Sequence, residues 1–407
     1  MTTTSPTLKI GWAAADITPD QPVCLAGQFH ARVSEGVLDP VTATALALES
    51  ADGAAAIMIS CEMVSIAEAL RDAVRARVKA GIAGFDPKHI CLNATHTHSA
   101  PLARPPQNQA GTTSRFGLTP AELGIMDPAD YIEWAAERIA DAAIQAWNRR
   151  APGGIGFGLG QAVVGRNRRI SYLDGESRMY GKTGVPEFSH IEGYEDHDVN
   201  LLCTYDLNRK LTGIVVNVAC PAQVSEQIYQ ISADYWHDTR VELRRRLGED
   251  LFILPQCGAA GDQSPHVLIN QTAEARMLAL QGMAEPVAEI KDNNLGNPAA
   301  LRKEIARRIA DAVNMTLPVI GKSIAYSPVF RNETATIEIS RRNLTEADVR
   351  ESLADAAPFK EKFEALRADL DAHPEKKQIP HWYVEITKTH SRMQWYQGVA
   401  TRFEEQR

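Results

Sequence analysis

Short apolar runs alternate with amphipathic stretches of helical period from the N-terminus to about residue 320, and this alternation restricts the chain to an α/β fold. "TALALES" and "AAIMISCEM" read as strands. A helical pattern follows from Ile66 to about Ala80, and Asp86 with Pro87 breaks it before the next strand, "HICLNAT". The Pro/Gly/Asn-rich loop "PLARPPQNQAGTTSRFG" then leads to a helix from about Pro128 to Trp147. "GIGFGLGQAVVG" is a glycine-bearing strand; its glycines lack the strand-turn-helix setting of a dinucleotide fingerprint. Two strand-like runs flank a polar turn in "NLLCTYDLNRKLTGIVVNVACP", which predicts a β-hairpin. A helix near Asp234 to Leu247 and the buried strand "LFILPQCG" follow. No internal repeat is visible.

From about Ala299 the chain becomes helical and more charged. "TATIEIS" reads as one more strand. In "NLTEADVRESL", Thr345 and Asp348 form a capping box that opens a long helix. The expected organisation is a mixed β-sheet core flanked by helices over residues 1–320, with a mainly helical, solvated extension over 321–407.

With 407 residues the chain buries a large core. Its net charge of −8 and the lack of a basic stripe argue against nucleic acid as the main partner. No stretch approaches the ~18 continuous apolar residues of a membrane span. No secretory signal opens the sequence, and the six cysteines contain no CxxC pair. A reducing, cytoplasmic setting is the expectation. Oligomeric state is not legible.

Three strands end in residues capable of chemistry. "HICLNAT" runs into His96 and His98, "GIVVNVA" into Cys220-Pro221, and "LFILPQCG" into "GAAGDQSP" with Asp262 and Ser264. Strand ends are where loops of α/β sheets enclose ligands. In an extended segment His96 and His98 would face one pocket. They are either a metal- and substrate-binding pair or hydrogen-bonded loop histidines. Ser264 is either an accessible hydroxyl for acyl chemistry or a turn serine bonding its own backbone. Cys220 is a ligand, a thiol nucleophile or a packed core residue. Asp234 and His237 open a helix, where Asp234 is either a site residue or only the N-terminal cap and His237 faces either the same cleft or solvent. Arg166, Arg168 and Arg169 cluster in "VVGRNRRISY", either to bind carboxylate or phosphate or as a solvated charge run.

Taken in order, these segments resemble the neutral/alkaline, non-lysosomal ceramidases, specifically their N-terminal catalytic domain. "GWAAADITPD" is similar to that family's Gly-x-x-x-x-Asp-Ile-Thr opening, "THTHSAP" to its Thr-His-Thr-His-Ser-Gly-Pro, and "GAAGDQSP" to its Asn-x-Gly-Asp-x-Ser-Pro loop. "GRNRR" and "SADYW" add support. The resemblance spans residues ~8 to ~268 and implies zinc-dependent hydrolysis of a linear N-acyl amide in a small-molecule or lipid-like substrate, ceramide or a smaller amide or ester. It implies His96 as a zinc ligand, His98 beside the reacting carbonyl and Ser264 as nucleophile or catalytic hydroxyl; Arg166, Arg169, Asp234 and His237 are the substrate-binding candidates read from the residues themselves. A zinc ion would polarise the carbonyl and lower the pKa of the attacking group.

The chain departs from the family where a second zinc-binding histidine is expected: it carries Cys220-Pro221-Ala222 instead of His-Pro-Thr. Cys220 is then either the replacement ligand or the nucleophile of a metal-free thiol hydrolase. The family's downstream glutamate and tyrosine ligands have no matching setting; "HWYVEITKTHSRMQWYQG" supplies only Glu385, His390 and Tyr396. An open reading frame lacking the C-terminal part of the site is one expectation from this departure. A non-catalytic binding protein is the alternative function.

Overall fold

The computed structural model of the chain describes residues 8–104, 116–286 and 295–406. Residues 105–115 of the Pro/Gly/Asn-rich loop lie outside them. The first half comprises β1 (Lys9–Asp16), β2 (Thr42–Glu49), β3 (Ala55–Cys61), α1 (Glu68–Gly81), β4 (Ile90–Ala94), the single turn α2 (Pro120–Leu123) and α3 (Pro128–Asn148). The second half begins with β5 (Ala151–Gln161) and the short strands β6 (Arg166–Asn167), β7 (Arg169–Tyr172), β8 (Ser177–Met179) and β9 (Phe188–Ile191). It continues through β10 (Asp198–Asp206), β11 (Leu211–Val218), α4 (Tyr235–Leu247), β12 (Phe252–Cys257), β13 (Gln263–Ser264), α5 (Gln271–Leu280) and α6 (Pro298–Ile320). Helices α7 (Glu346–Ala372) and α8 (Tyr383–Glu405) close the described chain.

Eight strands form one mixed sheet in the order β12-β11-β10-β5-β1-β2-β3-β4. Its two halves share one winding that the sequence does not betray. In each, two antiparallel pairings are followed by a parallel one across a helix: β1–β2–β3 then α1 and β4, and β5–β10–β11 then α4 and β12. A further helix, α3 or α6, then packs back on the sheet. Only two residue pairs, Lys9↔Pro152 and Ile10↔Ala151, join the halves through β1 and β5. The sheet folds over at this weak joint, and its inner faces meet around Trp12, Leu46, Leu48, Val215 and Leu254. Trp12 stacks on Phe252 and donates from Nε1 to Thr204 Oγ1 at 2.9 Å. Asn93 at one end of the strand order donates to the carbonyl of Pro255 at the other, 3.1 Å away.

Period-two alternation sorts the faces. On β2, Leu46 and Leu48 point inward, whereas Ala43, Ala45 and Ala47 point outward beneath α1 and α3. The alternate glycines of β5 serve the same end for α6. A β-carbon at Gly158 would fall 2.4 Å from Ile320, so the glycine run is a bed for a helix. The predicted hairpin is β10–β11, and Thr345 with Asp348 caps α7 as expected.

Two expectations are corrected. "TATIEIS" is not a strand: residues 334–340 run exposed, because period-two patterning needs a partner edge and none pairs with it among the described residues. The C-terminal helices are not simply solvated. Leu370, Tyr383 and Ile386 pack on Cys24, Ala26, Ala31, Leu102 and Phe116, and Tyr383 Oη accepts from the Val33 amide at 3.2 Å. No helix among the described residues is long and apolar enough to cross a membrane.

Candidate active site

The loops after β3, β4, β11 and β12 converge although β4 and β12 stand at opposite ends of the strand order. The fold-over brings them together. The backbone of His98 donates to Ala222 O (3.2 Å), and the Ala222 amide donates to Thr95 O (3.3 Å). Ser99 Oγ donates to Ser225 O (2.9 Å), and Thr97 Oγ1 to Ser232 O (2.9 Å).

His96 and His98 meet, but not through an extended backbone. β4 ends at Ala94, and His96 has a left-handed φ of 61°. The ring centroids are nevertheless 5.0 Å apart. Nδ1 of His96 lies 2.7 Å from Val64 O. A carbonyl only accepts, so Nδ1 carries the proton and Nε2 keeps its lone pair. Burial, then His98 and Arg168, lower the His96 pKa against the opposing pull of the Val64 carbonyl. Its ring is therefore neutral at pH 7.

His98 is 9% exposed and held on both ring nitrogens. Nδ1 faces Glu226 Oε2 at 3.1 Å, and the Gln223 amide nitrogen sits 2.7 Å from Nε2. Glu226 bridges onward to His266, whose Nε2 is 3.7 Å from Oε1 and donates to Gln223 O at 3.0 Å. Burial pushes the Glu226 carboxyl up. The hydrogen bond from His98 and the nearby charges of His266 and Arg32 outweigh it and hold the group below its ordinary range. Burial lowers the His266 pKa despite Glu226.

Ser264 is 1% exposed on the two-stranded β6–β13 piece, opposite Arg166. Its Oγ accepts from the His266 amide (3.2 Å) and from Tyr180 Oη (3.4 Å), and Tyr180 in turn accepts from Arg168 Nη1 (3.0 Å). The Tyr180 and His266 ring centroids are 5.4 Å apart. Contacts thus run from Ser264 through Tyr180, His266, Glu226 and His98 to His96, the steps from Tyr180 to His266 and from His98 to His96 being ring packing.

Other residues chosen from the sequence stand apart. Cys220 is 0% exposed in the apolar cluster beneath α4, and burial pushes its thiol well above the ordinary value. Arg166 pairs with Glu274 at 2.9 Å, and Arg169 with Glu192 at the surface. Asp234 caps α4 and accepts from the amides of Val224, Ser225 and Tyr235, bracing the loop that carries Gln223 and Glu226. His237 lies in the first turn of α4, half-buried. Glu385 pairs with Lys362 on the C-terminal hairpin, His390 packs against Phe363, and Tyr396 stacks on Phe359.

The side chains do not fit the expected zinc site. Among the described residues no group of three or more His, Cys, Asp or Glu could hold a metal ion. His96 offers a nitrogen, but Cys220 is sealed in apolar packing and both nitrogens of His98 are engaged. Sequence reasoning missed Glu226, Gln223, His266 and Tyr180, and saw Arg168 only as one of an arginine cluster, not as the partner of Tyr180. A signal existed for His266, which stands two residues after Ser264 just as His98 follows His96.

The arrangement is a polar site lodged where the two sheet halves meet, equipped for proton transfer. Its fold is ceramidase-like. The chain is similar to a solved ceramidase complexed with C2, at 20% identity and a TM-score of 0.57 over 79% of this chain and 45% of that one. It is also similar to the neutral ceramidase from Pseudomonas aeruginosa, at 19% identity and a TM-score of 0.58 over 79% of this chain and 46% of that one. The chain spans less than half the length of these structures. No protein-family profile and no curated protein matches its sequence.

Proposed function

We propose that the chain is a hydrolase of linear N-acyl amides, of ceramidase-like type, acting on a small-molecule or lipid-like substrate. One observation carries the reading: a neutral His96, whose Nε2 has no hydrogen-bond partner among the described residues, packs on a buried His98–Glu226–His266 group that ring contact joins to Tyr180 and Ser264. Amide hydrolysis needs a base for the attacker, a donor for the carbonyl oxygen and a proton for the leaving amine. In this reading His96 Nε2 takes the proton of the attacking group. Ser264, whose Oγ accepts from a Tyr180 held by Arg168, donates towards the developing oxyanion. The protonated His96 then returns that proton to the leaving amine, while His98, held between Glu226 and Gln223, keeps its ring packed against His96. The likeness to ceramidases supports an amide as the bond cleaved. A reducing, cytoplasmic setting belongs to the same proposal.

The burial of Ser264 favours a second reading, a binding protein that retains the pocket without turnover. A panel of N-acyl amides of increasing chain length separates the two. Release of free acid, lost in His96→Ala and in Tyr180→Phe at unchanged melting temperature, is the expected result. Binding of the panel with no acid released would leave the second reading.

A further inference from the structure

Arg32 is 1% exposed, yet no carboxylate is hydrogen-bonded to it among the described residues. A buried cation is costly, Glu226 compensates this one only at a distance, and a side chain needed only for packing would be apolar. What the guanidinium holds instead is three backbone carbonyls. Nη1 donates to Ile228 O at 2.7 Å, and Nη2 donates to Ala26 O at 2.5 Å and also to His98 O. These carbonyls belong to three segments: the turn between Cys24 and Val33, the loop after β4, and the loop after β11 two residues beyond Glu226. The turn is fixed to the site at a further point, where Gln28 Nε2 donates to the backbone carbonyl of Glu226 at 3.2 Å.

We infer that Arg32 is a positioning residue that locks the backbone of His98 against the loop of Glu226, so that the imidazole and the carboxylate stay in register. The planar fork suits this task, since it offers several donors in fixed directions from one rigid group. A lysine offers one point charge and cannot span the three acceptors. Arg32 touches no reacting atom. It acts through His98, and this role rests on the amidase reading given above.

The test uses the full chain and two independent readouts. Hydrogen exchange of the amides in segments 96–99 and 226–229 is compared between the unmutated protein and Arg32→Met, with the melting temperature recorded alongside. Both segments are expected to exchange about ten-fold faster in the variant while α3 and α6 keep their protection. Hydrolysis of an N-acyl amide is expected to lose about 100-fold in kcat, with KM changed less than about three-fold. Millimolar guanidinium is expected to restore part of kcat in Arg32→Ala but none in His98→Ala. Arg32→Lys, which keeps the charge, should lose nearly as much as Arg32→Met and replaces it if that variant fails to fold. Unchanged exchange and kcat in a folded variant would overturn the inference, as would a loss that merely tracks the unfolded fraction. Absence of hydrolysis in the unmutated protein would sink the amidase reading instead, and the exchange comparison would still decide whether Arg32 holds the two loops.

Discussion

The imidazole of His98 occupies the space that a side chain at Gly27 would need. A β-carbon on Gly27 would fall 2.4 Å from its Cγ and 2.7 Å from its Nδ1, and Gly27 has a φ of +97°. Gly27→Ala is therefore expected to act twice. The backbone costs roughly 1–2 kcal/mol, because L-residues resist positive φ. The ring must also move, and a misplacement near 1 Å costs about 100-fold in rate. Gly53→Ala is the control: its φ is +89° with nothing within 4 Å, so it bears the first cost alone. Denaturant midpoints and N-acyl hydrolysis in both variants check this. Equal activity in the two would count against the close contact.

Acid should weaken the fold through His96 and His266. Burial is the leading cause that lowers both pKa values, so the unfolded chain takes up protons on these rings before the native one does. Their contribution is full above the ordinary histidine value of about 6.5 and is lost as pH falls through the lowered native values. Asp234, pushed up to about 6 by burial, acts in the opposite sense, since its protonation favours the native state as pH falls through that value. His266→Gln should make the loss of melting temperature between about pH 7 and pH 5.5 shallower. An unchanged slope would mean that other groups govern it.

Chelation should have little effect. A catalytic zinc takes three protein ligands, and His96 is not joined by two others among the described residues. Dialysis against EDTA is expected to leave the hydrolysis rate within about two-fold. A loss restored by zinc, and absent in His96→Ala, would return the metal to this histidine.

The thiols should react in order of exposure. Cys91 is exposed, whereas Cys220 is buried and its thiol is held protonated. Iodoacetamide on the native protein near neutral pH should label Cys91 first and spare Cys220, as mass spectrometry of peptides would show. Early labelling of Cys220 with loss of activity would revive the thiol hydrolase.

Glu62 and Arg240 form a buried ion pair between the end of β3 and α4, and Glu62 also accepts from the Thr42 amide at 2.7 Å. Two residues beyond Glu62 lies Val64, whose carbonyl fixes His96. Breaking the pair one partner at a time, by Glu62→Leu or Arg240→Met, should cost about 3–5 kcal/mol, and the double change much less. Urea titration of the three variants tests this, and additive losses would argue against coupling.

Much of the fold is legible because strands and helices announce themselves locally. The apolar runs before His96, Cys220 and Ser264 are β4, β11 and β12, and the proline-broken helix before β4 ends where expected. The fold-over is not legible, since an apolar run looks alike whether it lies in a flat sheet or a closed one. The shared winding of the halves is hidden for the same reason. His96 and His98 stand together in the sequence. Glu226 and Tyr180 are single polar residues in irregular loops, where no period marks them, and only the folded chain joins them to the histidines. Cys220 read as a ligand by its place in a motif, but the apolar side chains around it decide its state.

A site made at the seam of two equivalently wound lobes has two walls of equal rank. One wall brings the paired rings, and the other brings the acid and the hydroxyls. Long connections stand at the same step of both lobes, between β1 and β2 and between β5 and β10, and either can change without rebuilding its neighbour. Such an architecture can exchange one substrate for another by redrawing a single wall while its counterpart keeps the reacting groups in place.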